Sequence, residues 1–276
     1  MAEPAFDRGR FESRLLTLRL GRSLLVRERT ASTNDEAWEA LAAGAGEGFT
    51  VVADDQTHGR GRAGRSWHTV PGKGLALSVL LRGGDRELGV TPLLAGLAVV
   101  RALETLGVPA DLKWPNDVLL GGRKLAGLLV ESRAPSESDG RSVVIGAGLN
   151  VAHAEEDFPP ALRVAATSLA REGWNLARED VAAAFLNALE PLWDEFRREG
   201  PAPVVAACRR RGSFWGRAVR VLGPSGPLDG VARGLDEEGR LLLALEDGAT
   251  VAIVAGDVEI VAPADPEAAR PASATR

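Results

Sequence analysis

Two short apolar runs, Phe49-Thr-Val-Val-Ala53 and Gly74-Leu-Ala-Leu-Ser-Val-Leu-Leu81, bracket a stretch of opposite character. That stretch is Gln56-Thr-His-Gly-Arg-Gly-Arg-Ala-Gly-Arg-Ser-Trp67. The flanking runs have the length and composition of buried strands. The segment between them can be neither helix interior nor buried strand. Gly59, Gly61 and Gly64 alternate with Arg60, Arg62 and Arg65. Glycine allows left-handed backbone and close approach to a ligand, and arginine is rarely buried unless paired. The chain must therefore build a sheet with an exposed, basic, flexible loop hung from it. Guanidinium forks suit carboxylate and phosphate. Locally, a loop that closes over an anion and a loop that is merely solvated fit equally well.

The remaining segments extend the same plan. Leu24–Arg29 reads as a strand. Thr33 and Glu36 have capping-box spacing, which predicts a helix to about Ala43 with Gly44 as its stop. Thr91-Pro92 opens a second helix, with Leu93, Leu97 and Val100 on one face, and Gly107-Val-Pro109 ends it. Asp111–Leu120 and Arg123–Glu131 read as strands joined by a Gly121-Gly122 hairpin turn. Residues 134–141 form a polar connection. Ser142–Asn150 is a further strand, with small residues where another group can approach the backbone. Residues 153–165 read as a long mobile loop. Two helical patterns follow, the longer with Phe185, Leu189, Leu192 and Phe196 in register. From about Gly212 the texture changes to short strands separated by turns at Gly223–Gly226, Asp236–Gly239 and Glu246–Gly248, which predicts a small all-β unit of the SH3-like barrel kind. The expected division is an N-terminal arm at 1–22, loose over residues 1–14, a catalytic unit at 23–211, the β unit at 212–262, and a disordered Ala/Pro-rich tail at 263–276.

Charge and composition narrow the function. A net charge of −5 argues against a general nucleic-acid binder, so a basic loop in this chain fits a small anion better than a polymer. The lone Cys208 rules out an intramolecular disulfide and a Cys-rich zinc site. A reducing cytoplasm is the expected compartment. Residues 1–14 lack the apolar core of a signal peptide, and no run approaches the ~20 apolar residues of a membrane span.

The Asp111–Glu131 hairpin holds the second concentration of charge. Lys113 ends one strand, followed by Trp-Pro, Asn116 and Asp117; Lys124 lies just past the turn. Folding back can bring Lys113, Asp117 and Lys124 together. Two lysines, a carboxylate and the arginine loop would suit phosphate charge, with Asp117 holding either Mg²⁺ or a lysine. A hairpin with solvated charges is the plainer alternative.

Taken together these blocks resemble the bacterial biotin protein ligases. The resemblance rests on Ser32-Thr-Asn34, Gln56 with Gly59–Trp67, Lys113-Trp-Pro-Asn-Asp117, Arg123-Lys-Leu-Ala-Gly127 and Gly146-Ala-Gly-Leu-Asn150, in that order, and spans roughly residues 24–261. It implies an α+β fold: a mixed β-sheet with flanking helices, of the class II synthetase-like kind, followed by an SH3-like β-barrel. It implies that biotin and ATP, with Mg²⁺, give biotinyl-5′-adenylate, and that biotin then passes to a lysine of the biotin carboxyl carrier domain of acetyl-CoA carboxylase.

By position, Ser32, Thr33, Asn34 and Gln56 would hold biotin, with Trp67, Gly127 and the Gly59-Arg60-Gly61-Arg62 turn around it. Lys124 would hold the carboxylate and α-phosphate. Arg62, Lys113 and Asp117 would join it in catalysis. Arg65, Asn116, Gly148 and Asn150 would lie near the adenylate. Metal ligands and the residue stacked on adenine are not identified. Some members carry arginine where this chain has Ala63, and some act as repressors through an N-terminal DNA-binding domain, for which residues 1–22 leave no room. DNA and membranes are thus not expected partners, and a homodimer is left open. The rivals are a lipoate or octanoate ligase or transferase of the same fold and, from another class, a nucleic-acid-binding module.

Overall fold

The computed structural model describes residues 5–83, 89–133, 141–162, 165–224 and 226–261. The expected tail at 263–276 and most of the 134–141 connection lie outside these residues. Seven strands make one mixed sheet: β1 (Leu24–Thr30), β2 (Thr50–Gln56), β3 (Gly74–Gly83), β4 (Asp111–Lys113), β5 (Asp117–Leu120), β6 (Arg123–Arg133) and β7 (Arg141–Asn150). Their order is β1-β2-β3-β7-β6-β5-β4, with β1 and β2 parallel and every other pair antiparallel.

Side chains alternate across a strand, and the sheet uses both faces. Val51, Leu80 and Val144 pack against Ala37 and Trp38 of helix α2 (Thr33–Ala42) on one face. Their neighbours Val52, Val79, Leu81, Val143 and Ile145 join the core that also takes in helices α3 (Thr91–Thr105) and α4 (Arg178–Glu199) on the other. Further along the α2 face, β7 and β6 carry Gly146, Gly148 and Gly127 in place of large residues, with Gly127 registered on Gly148. This part of the sheet is the floor of the site.

The α4 pattern is borne out: Phe185, Leu189, Leu192 and Phe196 are all buried. The N-terminal arm is a correction, because its described part is not loose. Helix α1 (Arg8–Arg14) buries Phe11 completely, and Arg10 is paired with Asp180 of α4. Glu190 of α4 accepts the backbone N–H groups of Leu18, Arg19 and Leu20. Phe6, Phe11, Leu15 and Leu20 are buried at irregular intervals, so no periodicity announced them.

Helix α5 (Ala202–Arg211) leads into a second sheet of β8 (Ala218–Gly223), β9 (Gly226–Leu235), β10 (Leu241–Ala244), β11 (Thr250–Ile253) and β12 (Asp257–Ile260). It is antiparallel throughout, in the order β11-β10-β9-β8-β12. Val219, Val221, Leu235, Leu241 and Val258 belong to the same apolar cluster as the large sheet. Trp114, in the turn after β4, donates its indole N–H to the Gly239 carbonyl at 3.0 Å. The β unit is thereby fixed against the hairpin that carries the lysines.

Candidate active site

A cavity of about 520 Å³ opens over the glycine floor. Of the residues that the resemblance assigns to the site, all but Gly59 line it. Gly59 instead lets the two arms of the loop pass closely: a Cβ there would stand 2.6 Å from the Trp67 carbonyl oxygen, and the Trp67 amide donates to the Gly59 carbonyl. The floor glycines have equally concrete reasons. A Cβ on Gly148 would lie 2.4 Å from the Trp67 ring, and one on Gly146 would lie 2.3 Å from Asn34 Oδ1. The groups that approach these backbones are thus Trp67, which walls the cavity, and Asn34.

One end is neutral and polar. Ser32, Thr33 and Asn34 start α2 and are almost fully buried. The expected capping box does not form. Ser32 takes the N-cap position without a side-chain bond to the helix, and Glu36 is drawn off to Arg27 and Thr30. The cap comes from β2: Gln56 Oε1 accepts the Thr33 amide at 2.9 Å and lies 3.1 Å from the Thr33 hydroxyl. Ser78, on β3, places its Oγ 2.7 Å from Thr33 Oγ1 and 2.6 Å from Asn34 Oδ1. Among the described residues Asn34 Nδ2 is buried without a partner.

The other end is cationic. Lys113 registers opposite Asp117 in the β4–β5 pair, and Lys124 Nζ lies 2.6 Å from Asp117 Oδ1. The hairpin therefore gathers the three charges, and Asp117 holds a lysine. Burial pushes the Lys113 pKa down, opposed by Asp117. Lys124 Nζ also stands 5.7 Å from the Trp67 ring centre, within cation–π range. Asn116 is buried and braces the turn by donating to the Leu128 carbonyl at 2.7 Å.

The loop is tied down at three points. Arg60 makes a two-pronged contact with Asp35 at 2.7 and 2.8 Å and reaches Glu131 at 3.1 Å; the Asp35 bond raises its pKa. Arg62 donates to Asn116 Oδ1 at 3.0 Å. Arg65 donates to Asp257 of β12 at 2.7 Å. Behind β7, Asn150 donates to the Thr167 carbonyl, and Ala165–Thr167 pairs with the backbone of Lys124. This strap closes the cationic end.

Several residues carried no sequence signal: Ser78, which lies behind the lining and bonds Thr33 and Asn34, and, in the lining itself, Phe158 and Leu162 on the covering segment and Leu222, Asp257, Glu259 and Ile260 from the β unit. Phe158 stacks on His153, ring centres 5.3 Å apart. His153 is buried, has no partner on either ring nitrogen among the described residues, and is held neutral by burial, with its pKa lowered to about 4. The 153–165 segment, expected to be a long mobile loop, is therefore anchored over its described part, with Lys73 also pairing to Asp157 at 2.7 Å. Among the described residues no three His, Cys, Asp or Glu side chains gather to hold a metal ion, and no helix is long and apolar enough to cross a membrane.

Comparison with known proteins agrees with this geometry. Residues 26–150 match the biotin/lipoate A/B protein ligase family, and residues 214–261 match the biotin protein ligase C-terminal domain. The chain is 40% identical over 247 residues to the biotin–[acetyl-CoA-carboxylase] ligase of Mycobacterium tuberculosis, covering 86% of this chain and 88% of that protein. It is 38% identical over 246 residues to the bifunctional ligase/repressor BirA of Bacillus subtilis, covering 87% and 75%. The biotin protein ligase of Aquifex aeolicus in complex with biotin and ATP superposes with a TM-score of 0.76 at 29% identity, over 87% of this chain and 100% of that one. The chain belongs to the biotin/lipoate A/B protein ligase family, among its biotin protein ligases.

Proposed function

We propose that the protein activates biotin with ATP to biotinyl-5′-AMP and passes the biotinyl group to a lysine of the biotin carboxyl carrier domain of a carboxylase, acetyl-CoA carboxylase in the first instance. The single observation that carries this is the polarity of one cavity, neutral and hydrogen-bonding at one end, cationic at the other. A ureido group offers a carbonyl acceptor flanked by N–H donors, which suits Thr33, Asn34 and Gln56. Trp67 and the glycine floor take the apolar ring and chain. The biotin carboxylate then reaches Lys124.

In the first step a carboxylate oxygen attacks the α-phosphorus and pyrophosphate leaves. Negative charge gathers between these groups, and Lys124, fixed on a strand by Asp117, meets it without reorganising. Lys113 and Arg62 add positive charge beside it, and Asn150 and Gly148 lie toward the nucleotide. Mg²⁺ enters with the ATP phosphates as part of that substrate. In the second step the carrier amine attacks the anhydride carbonyl and AMP leaves. This chemistry belongs in the cytoplasm, where ATP and the carboxylase meet.

A lipoate or octanoate ligase would share the cationic end. Its substrate would leave the buried groups of the neutral end unpaired, and such sites reject analogues that cannot fill their hydrogen bonds. The test is exchange of labelled pyrophosphate into ATP, with biotin or lipoate as the acid. Biotin-dependent exchange is expected; exchange with lipoate alone, or with neither, would overturn the reading.

A further inference from the structure

Three short contacts meet around Thr33 and Ser78, and only two hydroxyl protons are available for them. Ser78 Oγ is 2.6 Å from Asn34 Oδ1 and 2.7 Å from Thr33 Oγ1, while Thr33 Oγ1 is 3.1 Å from Gln56 Oε1. A carbonyl oxygen only accepts, so the Ser78 proton goes to Asn34. The short Thr33–Ser78 contact then needs the Thr33 proton. Gln56 Oε1 loses nothing essential, because it already accepts the Thr33 amide at 2.9 Å. The result is a directed chain from Thr33 through Ser78 to Asn34.

That direction fixes what the neutral end offers a ligand. Thr33 Oγ1 is left with lone pairs and acts as an acceptor. Gln56, with its carbonyl engaged, keeps Nε2 as a donor. Asn34, with its carbonyl on Ser78, keeps Nδ2, the buried amide without a partner among the described residues. We infer that Ser78 is a positioning residue that sets the hydrogen-bond polarity of the cavity, so that it accepts a cyclic urea and disfavours the same ring bearing a cyclic guanidine. A urea presents one acceptor oxygen to the donors and N–H to Thr33. A guanidine replaces that oxygen with a protonated nitrogen and sets donor against donor. Ser78 is fully buried in the middle of an apolar strand, where a hydroxyl costs stability unless bonded, and both its bonds go to residues that line the cavity. The inference rests on biotin being the substrate.

The experiment compares the parent with Ser78→Ala and Ser78→Cys, titrating each calorimetrically with biotin and with the analogue whose ureido oxygen is replaced by an imino nitrogen. The parent is expected to prefer biotin. Without the Ser78 proton the Asn34 amide is free to turn over, so Ser78→Ala should bind biotin about tenfold more weakly, the scale of one neutral hydrogen bond. Its preference for biotin over the guanidine should shrink by a similar factor. Ser78→Cys, a weak donor of similar size, should fall between, and KM for ATP should stay near the parent's in both. Equal weakening of both ligands, or an unchanged preference in Ser78→Ala, would overturn the inference while leaving the ligase reading intact. Failure of the parent to bind biotin would overturn both.

Discussion

At the neutral end of the cavity Ser32, Thr33 and Asn34, with Ser78 behind them, are at most 4% exposed, and each stands on a strand, in the first turn of α2, or at its cap. At the loop, Arg60 and Arg65 have side chains 41% and 54% exposed, and each is held by ion pairs to distant carboxylates. Both regions line the same cavity, yet one is part of the sheet's packing and the other is hung from it. A buried hydrogen-bonded network is costly to leave half made, so its geometry is fixed before a ligand arrives. Exposed ion pairs contribute about 0–1 kcal/mol each and can be broken as the loop moves. On this contrast we propose that recognition sits at the rigid end and retention at the loop. The lysine hairpin, with Lys124 on Asp117 at 2.6 Å, belongs with the rigid part although it carries charge.

The largest effect expected from this division is at Lys124. In Lys124→Ala, biotin should still fill the neutral end, while the charge that develops on the α-phosphate loses its fixed partner. Adenylation should slow by roughly 10²–10³, far more than biotin affinity falls, because a contact that strengthens in the transition state chiefly affects the chemical step. Pyrophosphate exchange and calorimetry separate the two. A variant that binds biotin poorly but turns over normally at saturation would place Lys124 with recognition and break the comparison.

A smaller effect should follow at Arg62, whose loop we propose orders around the intermediate. Ordering backbone costs roughly 1–2 kcal/mol per residue, and a charge-assisted contact such as that to Asn116, 3.0 Å away, offsets part of it. Arg62→Gly removes the contact and loosens the open loop. Adenylate should still form but escape roughly ten- to a hundredfold faster and biotinylate lysines on an unrelated protein added to the reaction. Bystander labelling equal to the parent's, while adenylate is being made, would show that Arg62 does not retain the intermediate.

The two regions also differ in how far the sequence disclosed them. Strand runs, the glycine floor and the hairpin lysines are local patterns, and the sheet placed them as expected. What escaped were partners chosen by tertiary contact. Thr33 and Glu36 have the spacing of a capping box, but Gln56 and Arg27 compete for them from adjacent strands. Ser78 is one polar residue in an apolar run and gave no sign that its hydroxyl would meet Thr33 and Asn34. Asp35, Glu131 and Asp257, which hold the loop arginines, lie up to 192 positions away from them in the chain. No spacing rule reaches that far. The resemblance implies Arg60 beside biotin; in the structure Arg60 lines the cavity with its guanidinium paired to Asp35 and Glu131.

The smallest effect, and the most direct check on how the loop is held, is at Asp257. It is the single β12 residue bonded to the loop, through Arg65 at 2.7 Å among the described contacts, and so links the β unit to closure of the cavity. Asp257→Asn keeps the size and removes the charge. The pair is exposed, so its removal should change adenylate retention by no more than about fivefold, with adenylation itself near the parent's rate. The dependence on salt is the sharper reading. Screening weakens exposed pairs as ionic strength rises and the Debye length contracts from about 30 Å at 0.01 M to 10 Å at 0.1 M. The parent should therefore lose retention with added salt and converge on the variant, whose retention should respond less. Ser78→Ala, altered at the buried end, should keep the parent's salt response. A variant at Asp257 that loses biotin affinity instead, or that matches the parent at low salt, would show that the β unit acts on the rigid end and that closure of the loop does not run through Arg65.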